Sequence, residues 1–194
     1  MNVYFDNAAT TSIRKEVIDK MSFVMKEAYG NPSSTHSYGR KSKSYLENAR
    51  KSIASILNAE PKEIIFTSGG TESDNMIIQR AVLDLNVKTI ISSPIEHHAV
   101  IHAIENLDNI KYNNVLLTKD GSIDLEHLEK LLIENNDLKL VSLMHVNNEI
   151  GNILDLKKVG ELCKNNNAYF HTDAVQGIGH FEIDLKELSI DFLS

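Results

Sequence analysis

Between positions 14 and 28 the apolar residues Val17, Ile18, Met21, Val24, Met25 and Ala28 recur at three- and four-residue intervals, which predicts an amphipathic helix. A second helix is predicted over 38–57, with Tyr45, Leu46, Ala49, Ile53, Ile56 and Leu57 on its apolar side. Between them, Gly30-Asn31-Pro32-Ser33-Ser34 is polar, short and rich in turn formers, so it reads as a loop and not as a linker between domains.

Beyond Glu63 the periodicity changes. Short aliphatic runs at 64–67, 87–91, 115–118, 138–146, 168–172 and 190–193 predict strands. They alternate with helical stretches at 71–83, 97–107, 125–134 and 156–165, the last two opened by Asp124 and Asp155 as N-caps. Strand-helix alternation predicts an α/β fold with a mainly parallel sheet flanked by helices. Functional groups should gather where strands end and helices begin. The last apolar run, Asp191-Phe192-Leu193, stands directly before the final Ser194, where the pattern calls for a turn and a further element; the expectation is a truncated chain.

Composition narrows the class. With 42% apolar and 24% charged residues the chain can bury a core and is not expected to be disordered. A net charge of -7 without a basic stripe argues against nucleic acid as a partner. No apolar run reaches membrane-spanning length, so no membrane association and a cytoplasmic location are expected. One cysteine, Cys163, excludes an internal disulfide; with Val159 and Leu162 it falls on the apolar side of its helix and reads as packing.

Four segments could carry chemistry. In Phe66-Thr67-Ser68-Gly69-Gly70-Thr71-Glu72-Ser73 a glycine pair and a hydroxyl residue open a helix: either a phosphate cradle, or a tight turn with Thr71 and Ser73 as caps. It has neither the Walker spacing nor the dinucleotide fingerprint. Asp173 closes an apolar strand, with Gln176 three residues on; buried there, a carboxylate needs a cation or a protonated heterocycle, whereas a loop Asp needs only local hydrogen bonds. His145-Val146-Asn147-Asn148-Glu149-Ile150-Gly151 closes another strand with turn-forming amides. Glu96-His97-His98 opens a helix; His98 and His102 have two-histidine metal spacing but no acidic third ligand, so one histidine set against a ligand is the better reading and no metal site is expected.

Taken in order, Tyr4 to Thr11, Gly30 to Ser34, Thr67 to Asn75, Glu96-His97-His98, His145 to Gly151 and His171 to Gln176 resemble the cysteine desulfurases, NifS/IscS-like pyridoxal 5'-phosphate (PLP) enzymes of the class V aminotransferase group. The resemblance spans the chain, and the His145 to Gly151 wording is similar to the branch that serves iron-sulfur cluster assembly. It implies a PLP-dependent transferase-like fold of the aspartate aminotransferase type I kind, with 1–15 contributing to a small domain and 16–194 forming an incomplete large PLP-binding domain. It implies that Gly70 and Thr71 hold the cofactor phosphate, that His97 lies over the pyridine ring and moves protons, that Asp173 pairs with the pyridine nitrogen, and that Asn148 and Gln176 lie beside the ring.

The resemblance further implies L-cysteine as substrate, L-alanine and an enzyme persulfide as products, a sulfur-acceptor or scaffold protein as partner, and a homodimer. The family's Schiff-base lysine would follow Ser194 and its persulfide cysteine would come later; Cys163 does not match that cysteine. The chain is therefore expected to be an inactive N-terminal portion. Another class V enzyme, such as a selenocysteine lyase or an aminotransferase, and a noncatalytic remnant or interaction module are the alternatives.

Overall fold

The computed structural model describes residues 1–194, which divide into two compact units, Met1–Ile65 and Phe66–Ser194.

The first unit holds α1 (Lys15–Glu27) and α2 (Ser37–Leu57), within a residue of the predicted bounds, and a short 3-10 turn at Pro61–Glu63. His36 caps α2, its ring Nδ1 accepting the Gly39 amide at 3.2 Å. Asn58 ends the helix in the left-handed conformation (φ 56), where asparagine is tolerated. None of the residues of α1 is buried, and Val17, Ile18, Met21 and Met25 are all exposed.

The second unit is the α/β body. Its helices are α3 (Gly70–Leu83), α4 (His98–Glu105), α5 (Leu125–Ile133) and α6 (Leu156–Asn165). Its strands are β1 (Thr89–Ser92), β2 (Lys111–Asn114), β3 (Lys139–Ser142), β4 (Ala168–Thr172) and β5 (Phe192–Leu193), all parallel, in the order β2-β1-β3-β4-β5. Asp124 and Asp155 cap α5 and α6 as expected, each accepting a backbone amide of the first turn.

Strand register sorts the core into two faces. Ile90, Leu140 and Tyr169 stand opposite one another and pack with Ile78 and Ala81 of α3 and Val100, Ala103 and Ile104 of α4. One residue along, Ile91, Val141 and Phe170 point to the other face, where Leu128 and Leu132 of α5 and Val159 and Cys163 of α6 cover them. This is the period-2 alternation of a sheet covered on both sides.

Three strand expectations need correction. The run 64–67 is not a strand: Ile65 and Phe66 are exposed and pair with no strand of the sheet, and β-forming side chains without a neighbouring ladder do not make a strand. The strand expected at 115–118 lies instead at Lys111–Asn114. An edge strand can be polar, so apolar content misleads there; Val115 is buried just beyond it, and Leu117 bridges Ile123 across a turn in which Gly121 has φ 80. The long run 138–146 contains a strand of only four residues, Lys139–Ser142, and continues as the loop that carries His145 and Asn148.

Candidate active site

From β1 the chain passes through α4 to β2 on one side, then through α5 to β3 on the other. The crevice at the C-terminal ends of β1 and β3 is a topological switch point, the usual ligand site of an open parallel sheet. Two of the four chemistry-bearing segments follow directly on these strand ends, Ser93 to His97 after β1 and Met144 to Asn148 after β3, and a third, Asp173 to Gln176, follows on the neighbouring β4. The loops are stitched together. The Asn147 side-chain amide donates to the Ile95 carbonyl at 2.7 Å, and the His145 amide donates to the Asp173 carbonyl at 2.8 Å.

The fourth segment, the start of α3, comes to the same end. A Cβ placed on Gly70 would stand 2.7 Å from Val175 Cγ2, so the first turn of α3 lies against the turn after β4. Asn75 ties that turn to α4, its amide donating to the Thr71 carbonyl (2.8 Å) and the Ala99 carbonyl (3.2 Å). The N-cap position of α3 is Gly69, with no side-chain cap bond, so Thr71 and Ser73 are not its caps. Thr71 is left exposed at the helix N-terminus, where first-turn amides have no intrahelical acceptor.

Asp173 is 5% exposed. Its Oδ1 accepts the Val175 amide at 3.0 Å, which fixes the carboxylate in the turn. Burial pushes its acidity weaker than an ordinary aspartate, the charge of Asp74 adds to this, and the Val175 bond, His171 and His97 offset it in part. A protonated ring nitrogen beside it would supply the cation that burial calls for, while the glycine-led N-terminus of α3 and the Thr71 hydroxyl suit a phosphate. The residues present fit a phosphorylated, protonated heterocycle.

His97 is exposed and is the N-cap of α4, its Nδ1 accepting the Ala99 amide at 3.1 Å. That bond pins the ring and leaves Nε2 as its other hydrogen-bonding atom. Asn148 and Gln176 are half-buried at the same end of the sheet, and the Asn148 amide donates to Glu149 Oε1 at 3.0 Å. His98 and His102 stack with centroids 5.1 Å apart, and no group of three His, Cys, Asp or Glu side chains is arranged to hold a metal ion. Cys163 is buried between α6 and the sheet, and burial raises its thiol far above the ordinary range.

The pattern of the sequence does not single out three buried acid-base groups near the crevice. Glu96 is pushed up to about 8, mainly by burial. Its Oε1 accepts the Ser93 hydroxyl at 2.6 Å, while its Oε2 is buried without a partner. Asp74 and His171 face each other at 3.5 Å, both almost fully buried. A signal for Asp74 is present: it shares a helical stripe with the buried Ile78 and Ala81, and a carboxylate on an apolar stripe needs a partner.

Residues 3–194 match the Aminotransferase class-V family model. The chain belongs to the class-V aminotransferase family. Members of this family, cysteine desulfurases among them, depend on PLP. A cysteine desulfurase IscS of Methanosarcina thermophila is 47% identical over 99% of the chain and 48% of its own length. One of Dictyoglomus turgidum is 44% identical over 99% of the chain and 49% of its own. Among solved structures, a NifS-like protein superposes with a TM-score of 0.93 at 38% identity, covering 100% of this chain and 54% of that one. The structure of SspA in complex with cysteine gives 0.92 at 30% identity, over 98% of this chain and 56% of that one. This class-V chain thus spans about half the length of the relatives it matches. No helix is long and apolar enough to cross a membrane.

Proposed function

We propose that this chain is the PLP-binding portion of a cysteine desulfurase, which removes sulfur from L-cysteine to give L-alanine and an enzyme persulfide. The observation that carries the reading is Asp173, a buried carboxylate held at the end of β4 beside the N-terminus of α3. Gly70 and Thr71 would hold the phosphate, Asp173 would meet the pyridine nitrogen, His97, its Nδ1 already accepting the Ala99 amide, would cover the ring with Nε2–H as its donor, and Asn148 and Gln176 would line its edge. Bound there, PLP supplies the electron sink that lets a carbon-sulfur bond of the amino acid break. Asp173 keeps the ring nitrogen protonated, and the buried strand ends around it keep water from competing for that proton.

The same reading makes residues 1–15 part of a small domain and 16–194 part of the large one. It gives the whole protein a homodimeric form, a cytoplasmic location and a sulfur-acceptor or scaffold protein as partner, the persulfide feeding iron-sulfur cluster assembly. The lysine that bonds the cofactor and the cysteine that carries sulfur are supplied outside these 194 residues, so the chain by itself does not turn over.

The test is to mix the purified 194-residue chain with PLP and L-cysteine, then measure PLP binding, borohydride-trapped cofactor on lysine, and alanine release. Reversible PLP binding that Asp173→Asn weakens, without alanine, is expected. PLP binding that is undetectable, or indifferent to Asp173, overturns the site; catalytic alanine release with one lysine trapped overturns the need for residues outside the chain.

A further inference from the structure

Three carboxyl groups converge beneath the crevice. Asp74 comes from α3, Glu96 from the turn before α4 and Asp173 from the turn after β4; Glu96 feels the charge of both others, and Asp173 feels that of Asp74. Such a cluster opposes the ionised Asp173 that a protonated ring nitrogen requires. His171, fully buried, stands on β4 two residues before Asp173, which lies just past the last strand residue, Thr172.

The hydrogen bonds around His171 fix its protons. Its Nε2 lies 3.4 Å from Ser194 Oγ and 3.5 Å from Asp74 Oδ1. The Ser194 hydroxyl spends its one proton on a short bond to the same Asp74 oxygen, so toward His171 it can only accept. Nε2 therefore carries a hydrogen. On the other side, Nδ1 lies 2.9 Å from the Ser142 hydroxyl, which donates to a bare Nδ1 or accepts from a protonated one. Ser142 is itself held by the sheet, its carbonyl accepting the Ser92 hydroxyl at 2.8 Å. The imidazole is thus clamped from β3, α3 and the end of β5, with its Nε2–H toward the Ser194 hydroxyl and Asp74 Oδ1 3.5 Å away.

We propose that Asp74 and His171 are positioning residues for the proposed cofactor site: Asp74, by taking the Ser194 hydroxyl proton, fixes the Nε2–H form of His171, and His171 screens Asp74 from Asp173 so that Asp173 can meet the ring nitrogen as a carboxylate. The inference rests on the cofactor reading above, yet its core lies in the protein alone. The groups facing His171 are Asp74, Ser142 and Ser194; those acting on Asp173 besides His171 are Asp74 and His97. Glu96 is raised by both Asp173 and Asp74.

The two residues then act on Asp173 with opposite sign, which a merely structural pair would not. In the full 194-residue chain without PLP, the Asp173 carboxyl is followed by carbon-13 NMR against pH, assigned with Asp173→Asn. Asp74→Asn removes a like charge and should move its midpoint down, and His171→Gln should move it up, each by on the order of one pH unit. Histidine nitrogen-15 shifts in the unmutated chain should show the hydrogen on Nε2, and Ser142→Ala should loosen the ring into mixed tautomers. PLP affinity should hold in Asp74→Asn and fall about tenfold in His171→Gln. A midpoint that moves the same way in both variants, or in neither, overturns the proposal. If the variants fail to fold, the unmutated chain decides: a bare Nε2 overturns it, a protonated one supports it. Failure of unmutated chain to bind PLP would instead strike the cofactor reading, whatever the Asp173 titration shows.

Discussion

Gly177 lies against the imidazole of His145 with no room for a side-chain carbon between them: a Cβ at 177 would stand 2.2 Å from Nδ1 and 3.0 Å from two further ring atoms. His145 is almost fully buried and makes an edge contact with Phe181 at 5.2 Å. The ring has little freedom to retreat, and the contact joins the loop after β3 to the turn after β4. Gly177→Ala is expected to destabilise the second unit by about 1–3 kcal/mol, the usual penalty of overpacking, and to disturb the turn holding Asp173. Chemical denaturation of both forms checks the first effect, and PLP titration checks the second.

Asp173→Asn keeps the shape of the side chain and its bond to the Val175 amide but removes the charge. PLP affinity should fall about 10- to 100-fold, the worth of a hydrogen bond to a charged group. Folding should be less affected, because burial already disfavours the charged form. Fluorescence titration with PLP beside a melting curve separates the two.

The helices and the α/β class were legible because both depend on patterns that a single sequence displays: three- and four-residue spacing in 38–57, aspartates placed to cap α5 and α6, β-branched runs between them. The edge strand Lys111–Asn114 was not, since half of its surroundings is solvent and its side chains carry no apolar record of being a strand. The run 64–67 misled for the opposite reason, its composition suiting a ladder that it does not join. At the candidate site, Asp173 stood out by its place after an apolar strand. Asp74 and His171 did not, because their meaning lies in a contact between residues 97 positions apart in sequence.

Glu96 makes stability depend on pH. Its carboxyl is raised from an ordinary 4.5 to about 8, so between those values the folded chain holds a proton that the unfolded chain has lost. The contribution is fully present below 4.5 and is lost as pH rises toward 8. Asp173 and Asp191, also raised by burial, act in the same sense. Glu96→Gln keeps an acceptor for the Ser93 hydroxyl and removes the titration. Its melting temperature should fall less between pH 5 and pH 8 than that of the unmutated chain, the variant gaining on the order of a few kcal/mol at the upper end. Equal slopes for the two forms would refute this.

Cys163 should behave as a core atom. Buried between α6 and the sheet and with its thiol raised by burial, it should resist a disulfide reagent such as DTNB under native conditions and react once the chain is unfolded in urea. Cys163→Ser should cost about 1–3 kcal/mol through an unsatisfied hydroxyl. Rapid labelling of the folded chain would contradict its place in the core.

One rim of the sheet offers little to a passing strand. There β2 presents Lys111, Tyr112, Asn113 and Asn114, a sequence with little to gain from further pairing and a lysine to discourage it. Contagious strand pairing, the common route from a parallel sheet to an aggregate, is thus discouraged along that rim. In conditions where this chain associates unproductively, the Lys111 rim should stay as accessible to proteolysis and hydrogen exchange as before.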